Sequence, residues 1–344
     1  MGRGGGYKPH NAADVFAKNY GDCKDKANMM RAMLRALKIE SYPVSIFSGD
    51  PHFVRKEWPS PQQFNHCIIA VKVGDETKSA SIVTHPELGR LLVFDPTDPY
   101  TPVGDLPDHE QGSYALVMAG EKGDLVKMPL TAPEDNLVER TVEASLGADG
   151  GLGARVIETS TGNAAVTERA RLRSSTRQDY EKIIDRWLTQ GSSGITVSRI
   201  EPFDDEKSGR FRIEVEFRAP SYAQSMRGRL LVFKPAVVSR RATVPVSGES
   251  RKYPVVLESQ AYIETARIKL PEGFVVDEYP EPIEINQPFG NYAMVCRPVD
   301  GYLEFRRSLS IKAVIVPPGQ YPALRNFYGR ILGAEQAPVV LMKK

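Results

Sequence analysis

Cysteine is scarce in this chain: Cys23, Cys67 and Cys296 are the three in 344 residues. An odd number so widely spaced excludes a disulfide framework and leaves the redox compartment open. There is no Cys-x-x-Cys pair, so the commonest zinc spacing is missing too. No apolar run approaches the ~18–20 residues of a membrane-spanning helix. Neither sign of charge dominates: Lys+Arg 45 against Asp+Glu 43 gives +2, and nothing in the bulk charge points to nucleic acid or a membrane surface. The opening Met1-Gly2-Arg3-Gly4-Gly5-Gly6 has no apolar core of the signal-peptide kind. Gly6 stands where a myristoylation signal needs Ser or Thr, which excludes that reading. What remains is 41% hydrophobic and 26% charged, ordinary for a globular protein of about two domains.

The first third reads as helices followed by strands. Asn11 and Asp14 suit the start of a short helix through Val15 and Phe16. Asp22 is an N-cap, and Ala27, Met30, Met33, Leu34 and Leu37 recur at the spacing of one buried helical face. Alternation predicts strands over Ser41 to Phe47, Phe64 to Val73 and Arg90 to Asp95. The stretches Tyr114 to Met118 and Leu125 to Met128 flank a turn and read as a hairpin. A helix followed by strands at turn-length spacing implies an α+β class with an antiparallel sheet. Thr131 to Asn136 reads as a linker, dividing the chain into domains 1–130 and 131–344.

The second part is mostly β, with 26 prolines along the whole chain suiting many edges and turns, as in a sandwich. Phe211, Ile213, Val215 and Phe217 alternate strictly. Tyr292 to Cys296 and Tyr302 to Ile311 form a hairpin through Asp300-Gly301. Tyr180, Ile183, Ile184, Trp187 and Leu188 mark a helical insertion, and Tyr321 to Leu332 a last helix before a last strand. No cluster of Cys, His or carboxylates marks a site in this part.

Three residues carry the chemistry. Cys23 stands in the first turn of its helix, where free backbone N–H groups and the positive end of the dipole favour thiolate over thiol. A cysteine alone there is most simply a buried core residue. His66 sits inside an apolar strand, where a single histidine is usually a satisfied core side chain, and Asp95 before Pro96 is most simply a turn cap. Together they have a mechanical logic. A thiolate needs an imidazole to take and return its proton, and the imidazole needs a carboxylate to fix its tautomer.

Gly21-Asp22-Cys23-Lys24-Asp25-Lys26-Ala27, Phe64-Asn65-His66 and Phe94-Asp95-Pro96-Thr97, in that order, resemble the transglutaminase-like superfamily. The resemblance is to the bacterial branch whose thiol domain precedes a β-rich C-terminal domain. It covers residues 4 to 130 by motif and the remainder by general architecture. It implies a papain-like core followed by a mostly β, sandwich-like domain with helical insertions, with Cys23 as nucleophile, His66 as base and Asp95 as its orienter. It implies cysteine-dependent acyl transfer on amide bonds, a protein or peptide substrate, no cofactor and a periplasmic setting. Hydrolysis is favoured over cross-linking because no feature visibly excludes water. Only twenty-two residues precede Cys23 here, fewer than in such proteins, so an N-terminally shortened member is expected. The family's tryptophan oxyanion donor has no counterpart, since Trp58 follows the nucleophile; Asn19, Tyr20 and Tyr7 are the candidates for the second donor.

Other roles were open to the same residues. A zinc site from Cys23, His66, Cys67 and Asp95 is disfavoured because His66 and Cys67, adjacent in a strand, face opposite sides. Lys24, Asp25 and Lys26 read as solvated first-turn charges, and His10, His52, His85 and His109 as surface histidines. Pro51 to Gln63, with Trp58, reads as a surface loop or one wall of a cleft. The competing function is a catalytically idle protein- or peptide-binding module. The residues do not specify an oligomeric state.

Overall fold

The structure, a computed structural model, describes residues 6–189, 194–238 and 241–344; the Gly4-Gly5 part of the expected N-terminal loop lies outside them. The chain divides into two compact units, Met1–Thr131 and Ala132–Lys344.

In the first unit α1 (Ala12–Lys18) and α2 (Cys23–Ala36) precede six strands: β1 (Ser41–Ile46), β2 (His66–Lys72), β3 (Ile82–His85), β4 (Gly89–Phe94), β5 (Tyr114–Val117) and β6 (Asp124–Lys127). They form one antiparallel sheet in the order β3-β4-β2-β1-β5-β6. The edge strands β3 and β6 approach each other, so the sheet curls into a nearly closed barrel. Period-two alternation fills its interior. Val44 and Ile46, Ile68 and Ala70, Leu91 and Val93, and Ala115 and Val117 pack into one buried cluster with Leu106 and Met128. Each large side chain so buried contributes ~1.5–3 kcal/mol of transfer free energy.

Helix α2 lies against α1, β1 and β2. Its apolar stripe is buried only at the N-terminal end: Ala27 is fully buried, whereas Met33 and Leu37 are 45% and 71% exposed. The helix therefore covers the start of β2 and leaves its own far end in water.

In the second unit the elements run β7 (Leu137–Leu146), β8 (Leu152–Ser160), α3 (Gly162–Ser174), α4 (Arg177–Thr189), β9 (Thr196–Asp205), β10 (Arg210–Ala219), β11 (Gln224–Met226) and β12 (Leu230–Phe233). They continue with β13 (Val255–Leu257), β14 (Gln260–Lys269), β15 (Phe274–Glu278), β16 (Ile283–Gln287), β17 (Gly290–Val299), β18 (Tyr302–Ile311), β19 (Val314–Val316), α5 (Tyr321–Gln336) and β20 (Val339–Lys343). Eight strands make the main sheet, ordered β16-β17-β18-β14-β7-β8-β10-β9; β11-β12-β20-β15 and β13-β19 are smaller sheets. Every pairing in the large sheet is antiparallel except the central one, β7 with β14, which is parallel from Leu137 opposite Ala261 to Ser145 opposite Lys269. The helices close the core as their spacing predicts: Tyr180, Ile184 and Leu188 of α4, and Leu324, Phe327 and Ile331 of α5, are buried.

A buried polar cluster spans the central pairing. Glu264 of β14 accepts from Arg140 of β7 at 2.9 Å and from Arg307 of β18 at 3.2 Å. The Tyr262 hydroxyl accepts from Arg140 at 2.6 Å and itself donates to Glu264. Arg307 also reaches Glu335 of α5 at 2.9 Å. Burial would raise the Glu264 carboxyl, but the two guanidiniums overcome it and hold its pKa below the usual carboxylate value.

The expected fold class, an α+β chain with a papain-like core followed by a sandwich-like domain, is corrected by these observations. Strand accounts for 39% of the structure and helix for 23%, and both units are built on large sheets. The core of the first unit is the inside of a curled sheet, with α2 on its outside. The physical reason is that alternation identifies each strand without saying how many join one sheet or whether its ends meet. The strand Ile82–His85 also carried no alternation long enough to be read, and it is this edge strand that turns toward β6. Among the described residues no helix is long and apolar enough to cross a membrane.

Candidate active site

The site is assembled at one end of the curled sheet. Cys23 is the first residue of α2, behind a reciprocal cap in which Asp22 accepts from the Asp25 N–H and Asp25 from the Asp22 N–H, each at 3.3 Å. The Cys23 N–H, at the first helical position, has no intrahelical partner and is available to an oxyanion. Asp25, expected as a solvated charge, is buried at 3% exposure. It accepts from the His10 backbone N–H at 2.8 Å and pairs with the His10 ring at 2.9 Å, tying the N-terminal segment to the first turn of the helix. Burial alone would raise the Asp25 carboxyl; the bonds from His10 and Asp22 outweigh it, and its pKa lies below the usual value.

Gly21 makes that turn possible. A Cβ there would sit 2.7 Å from Asp25 Cβ and 2.9 Å from Val15 Cγ1, atoms that cannot swing away. We expect Gly21→Ala to cost ~1–3 kcal/mol, as an overpacked core position does, and to slow alkylation of Cys23 by displacing the start of α2. Denaturant unfolding and iodoacetamide kinetics on the same variant check both effects.

His66 opens β2 and Asp95 follows β4. Residues 66, 68 and 70 alternate to one face, as do 91, 93 and 95, so both side chains turn toward the inside of the sheet at its rim. His66 Nε2 lies 3.1 Å from Asp95 Oδ2. The other carboxylate oxygen, Oδ1, accepts from the backbone N–H and the hydroxyl of Thr97 at 2.8 and 2.7 Å. Thr97 thus reserves Oδ2 for the imidazole. Before His66, Asn65 bonds both the N–H and the carbonyl of Ser48, at 2.7 and 3.0 Å, fixing the approach of the strand.

The His66 imidazole is within hydrogen-bonding reach of Cys23, and this contact is the largest influence on the thiol. It lowers the pKa against the opposing effect of burial, with help from the backbone N–H groups of Cys67 and Lys24. Burial of His66 favours its neutral form. The bonds to Asp95 and Cys23 and the charges of Asp95 and Glu110 more than offset that and raise its pKa to about 10. Asp95 is likewise raised by burial but held below the usual carboxylate value by His66 and Thr97. The three predicted residues are therefore brought together, and their electrostatics favour a thiolate–imidazolium pair.

Two neighbours carried no usable signal in the sequence. Thr97 was visible only as the end of Asp95-Pro96-Thr97. Glu110, on a short 3₁₀ turn (Asp108–Glu110), is fully buried with Oε1 3.4 Å from His66 Nε2. Polar atoms of His66, Asp95 and Glu110 lie within 4.8 Å of one another, a spacing a divalent cation could bridge. The hydrogen bonds from His66 and Thr97 already occupy Asp95, and the electrostatics of the pair need no ion. Cys67, the other residue of the zinc alternative, is a buried thiol whose pKa burial pushes up to about 12. Of the oxyanion candidates, Tyr7 and Tyr20 are 69% and 83% exposed, and Asn19 is the left-handed C-cap of α1. A cleft of about 750 Å³ in the second unit is lined by Leu172, Ser175, Tyr180, Phe203, Arg212 and Glu214.

Residues 228–341, in the second unit, match the model of a family described as a domain of unknown function with a solved structure, DUF3858. No curated protein sequence matches the chain. A crystal structure from Parabacteroides distasonis, described as a "putative protease", is similar to it with a TM-score of 0.51 at 10% identity. The likeness covers 98% of this chain and 47% of that one, so the chain spans about half the length of that protein. What the two share is the fold.

Proposed function

We propose that the first unit, taken as a domain over residues 1–130, is a thiol acyl-transfer centre acting on amide bonds. The observation that carries this reading is the thiol at a helix N-terminus, lowered by an imidazole that a buried carboxylate holds at 3.1 Å. Cys23 thiolate adds to the amide carbonyl carbon, and the Cys23 N–H donates to the oxygen that becomes negative. His66 gives its proton to the leaving amine as the C–N bond breaks, leaving a thioester. Water then adds to the thioester while His66 takes its proton; the C–S bond breaks and the acid departs. Asp95 keeps the imidazole in the orientation both transfers need.

The order and chemistry of Cys23, His66 and Asp95 are those of the transglutaminase-like superfamily, and the description of the Parabacteroides protein favours water over an amine as the acceptor. Hydrolysis of a protein or peptide is therefore the reading we adopt. It is tested by incubating the chain with a peptide library and reading newly formed termini by mass spectrometry. Products should form with the wild type and vanish with Cys23→Ala. Lysine-linked products in place of free acids would make the protein a cross-linker. No product from either protein, with Cys23 alkylating like a free cysteine at every pH, would leave the site without this function.

A further inference from the structure

Glu110 is out of place for an ordinary carboxylate. It is fully buried, and among the described residues neither of its oxygens has a hydrogen-bond partner. An ionised carboxylate in that setting would be destabilising, because among the described residues no hydrogen bond replaces the water it has lost and the His66 ring, 3.4 Å from Oε1, is already bonded to Asp95. The charged groups acting on it are Asp95 from the turn after β4, His66 from the start of β2 and His109 from its own turn. Thr97 is directed at Asp95, and Asp108 at His109. That leaves Asp95 and His66. Carboxylate oxygens of Asp95 and Glu110 lie within 4.8 Å of each other; two carboxylates have no donor between them, and a hydrogen bond forms only when one carries a proton.

We infer that Glu110 is a positioning residue for the thiol–imidazole pair, a neutral carboxylic acid that shares its proton with Asp95 and so sets how firmly Asp95 holds His66. The inference rests on the acyl-transfer reading of Cys23 and His66. Asp95 is the member that keeps the charge, because Thr97 and His66 both donate to it, whereas among the described residues no donor bonds Glu110. Burial and the charge of Asp95 push Glu110 up to about 8, so the proton is retained at neutral pH. When it is lost, a second negative charge appears beside His66 Nε2. That charge holds the imidazolium to higher pH and keeps a proton available for the leaving amine.

The test uses the full chain and Glu110→Gln, which keeps the shape and cannot ionise. In the wild type the infrared spectrum should contain a protonated-carboxyl band that disappears near pH 8 and is missing from the variant. By NMR, the pH at which His66 loses its proton should fall by about one unit in Glu110→Gln, as removal of a nearby opposite charge predicts. A pH profile for His66 that is unchanged in the variant overturns the inference, and so does a wild-type spectrum lacking the band. Retention of stoichiometric zinc by the purified wild type, lost in Glu110→Gln, also overturns it, since the three groups would then serve a metal. If Glu110→Gln does not fold, the infrared measurement on the wild type decides alone. Failure of the underlying reading looks different: His66→Ala would then leave the alkylation of Cys23 untouched.

Discussion

Replacing His66 by alanine should return Cys23 to the behaviour of a free cysteine. The wild-type thiol, paired with the imidazole, should alkylate well below the ~8.5 at which an isolated cysteine ionises. In His66→Ala the rate should follow a single titration near that value. At pH 6.5 roughly 1% of such a thiol is ionised. The greater intrinsic nucleophilicity of a higher-pKa thiolate offsets about half of that loss on a logarithmic scale. The net fall in alkylation at pH 6.5 is therefore about tenfold, read from iodoacetamide kinetics. The effect on amide cleavage should be larger, ~10²–10⁴-fold, because proton return to the leaving amine is lost as well. Stability should change with pH in the matching sense. The His66 pKa is raised from 6.5 to about 10, so its contribution is full below 6.5 and disappears as pH rises through 10. Removing the imidazole should flatten that alkaline slope.

The second large effect belongs to the other unit. Glu264→Gln keeps the volume of the side chain but removes the carboxylate that Arg140 and Arg307, 4% and 1% exposed, share, leaving Arg140 with Glu158 and Arg307 with Glu335. A buried ion pair broken from one side costs ~3–5 kcal/mol where the remaining charge is left uncompensated; with Glu158 and Glu335 still in place the expected cost is ~1–3 kcal/mol, that of buried donors losing one charged acceptor. Trp187 of α4, with the Arg140 guanidinium 5.0 Å from its ring, is a local reporter. In a Trp58→Phe background, guanidinium unfolding followed by Trp187 fluorescence should move to markedly lower denaturant. A midpoint within error of the parent would mean that Glu264 is not what holds the two arginines.

Much of the site was legible because it is local. Asp22 caps the helix that Cys23 begins, and Asp95 ends an apolar strand; both follow from a few residues of context. His66 was legible by chemistry more than by pattern, since an imidazole opening a hydrophobic strand has few bland uses once a thiol and a carboxylate lie near. Glu110 was not, because its burial depends on the inside of a sheet whose curl no short stretch encodes. Asp25 was misread for a related reason. Its sequence context is a charged first turn, and only the return of His10 makes it an interior residue. The apolar stripe of α2 failed in the other direction, with correct spacing but only its first turns covered. The parallel partnership of β7 and β14 joins segments with the whole of α3 through β13 between them, and hydrophobic alternation carries no record of such a neighbour.

That partnership bears on how the protein can be cut. The family boundary at residue 228 falls between β11 and β12, which keeps β14 and discards β7. A recombinant fragment begun there would present the bare flank of β14 as a template for foreign strands. The Arg140 guanidinium that answers Glu264 and Tyr262 would be missing from the same flank. A workable truncation must instead start upstream of Leu137, so that the strand completing the sheet travels with it.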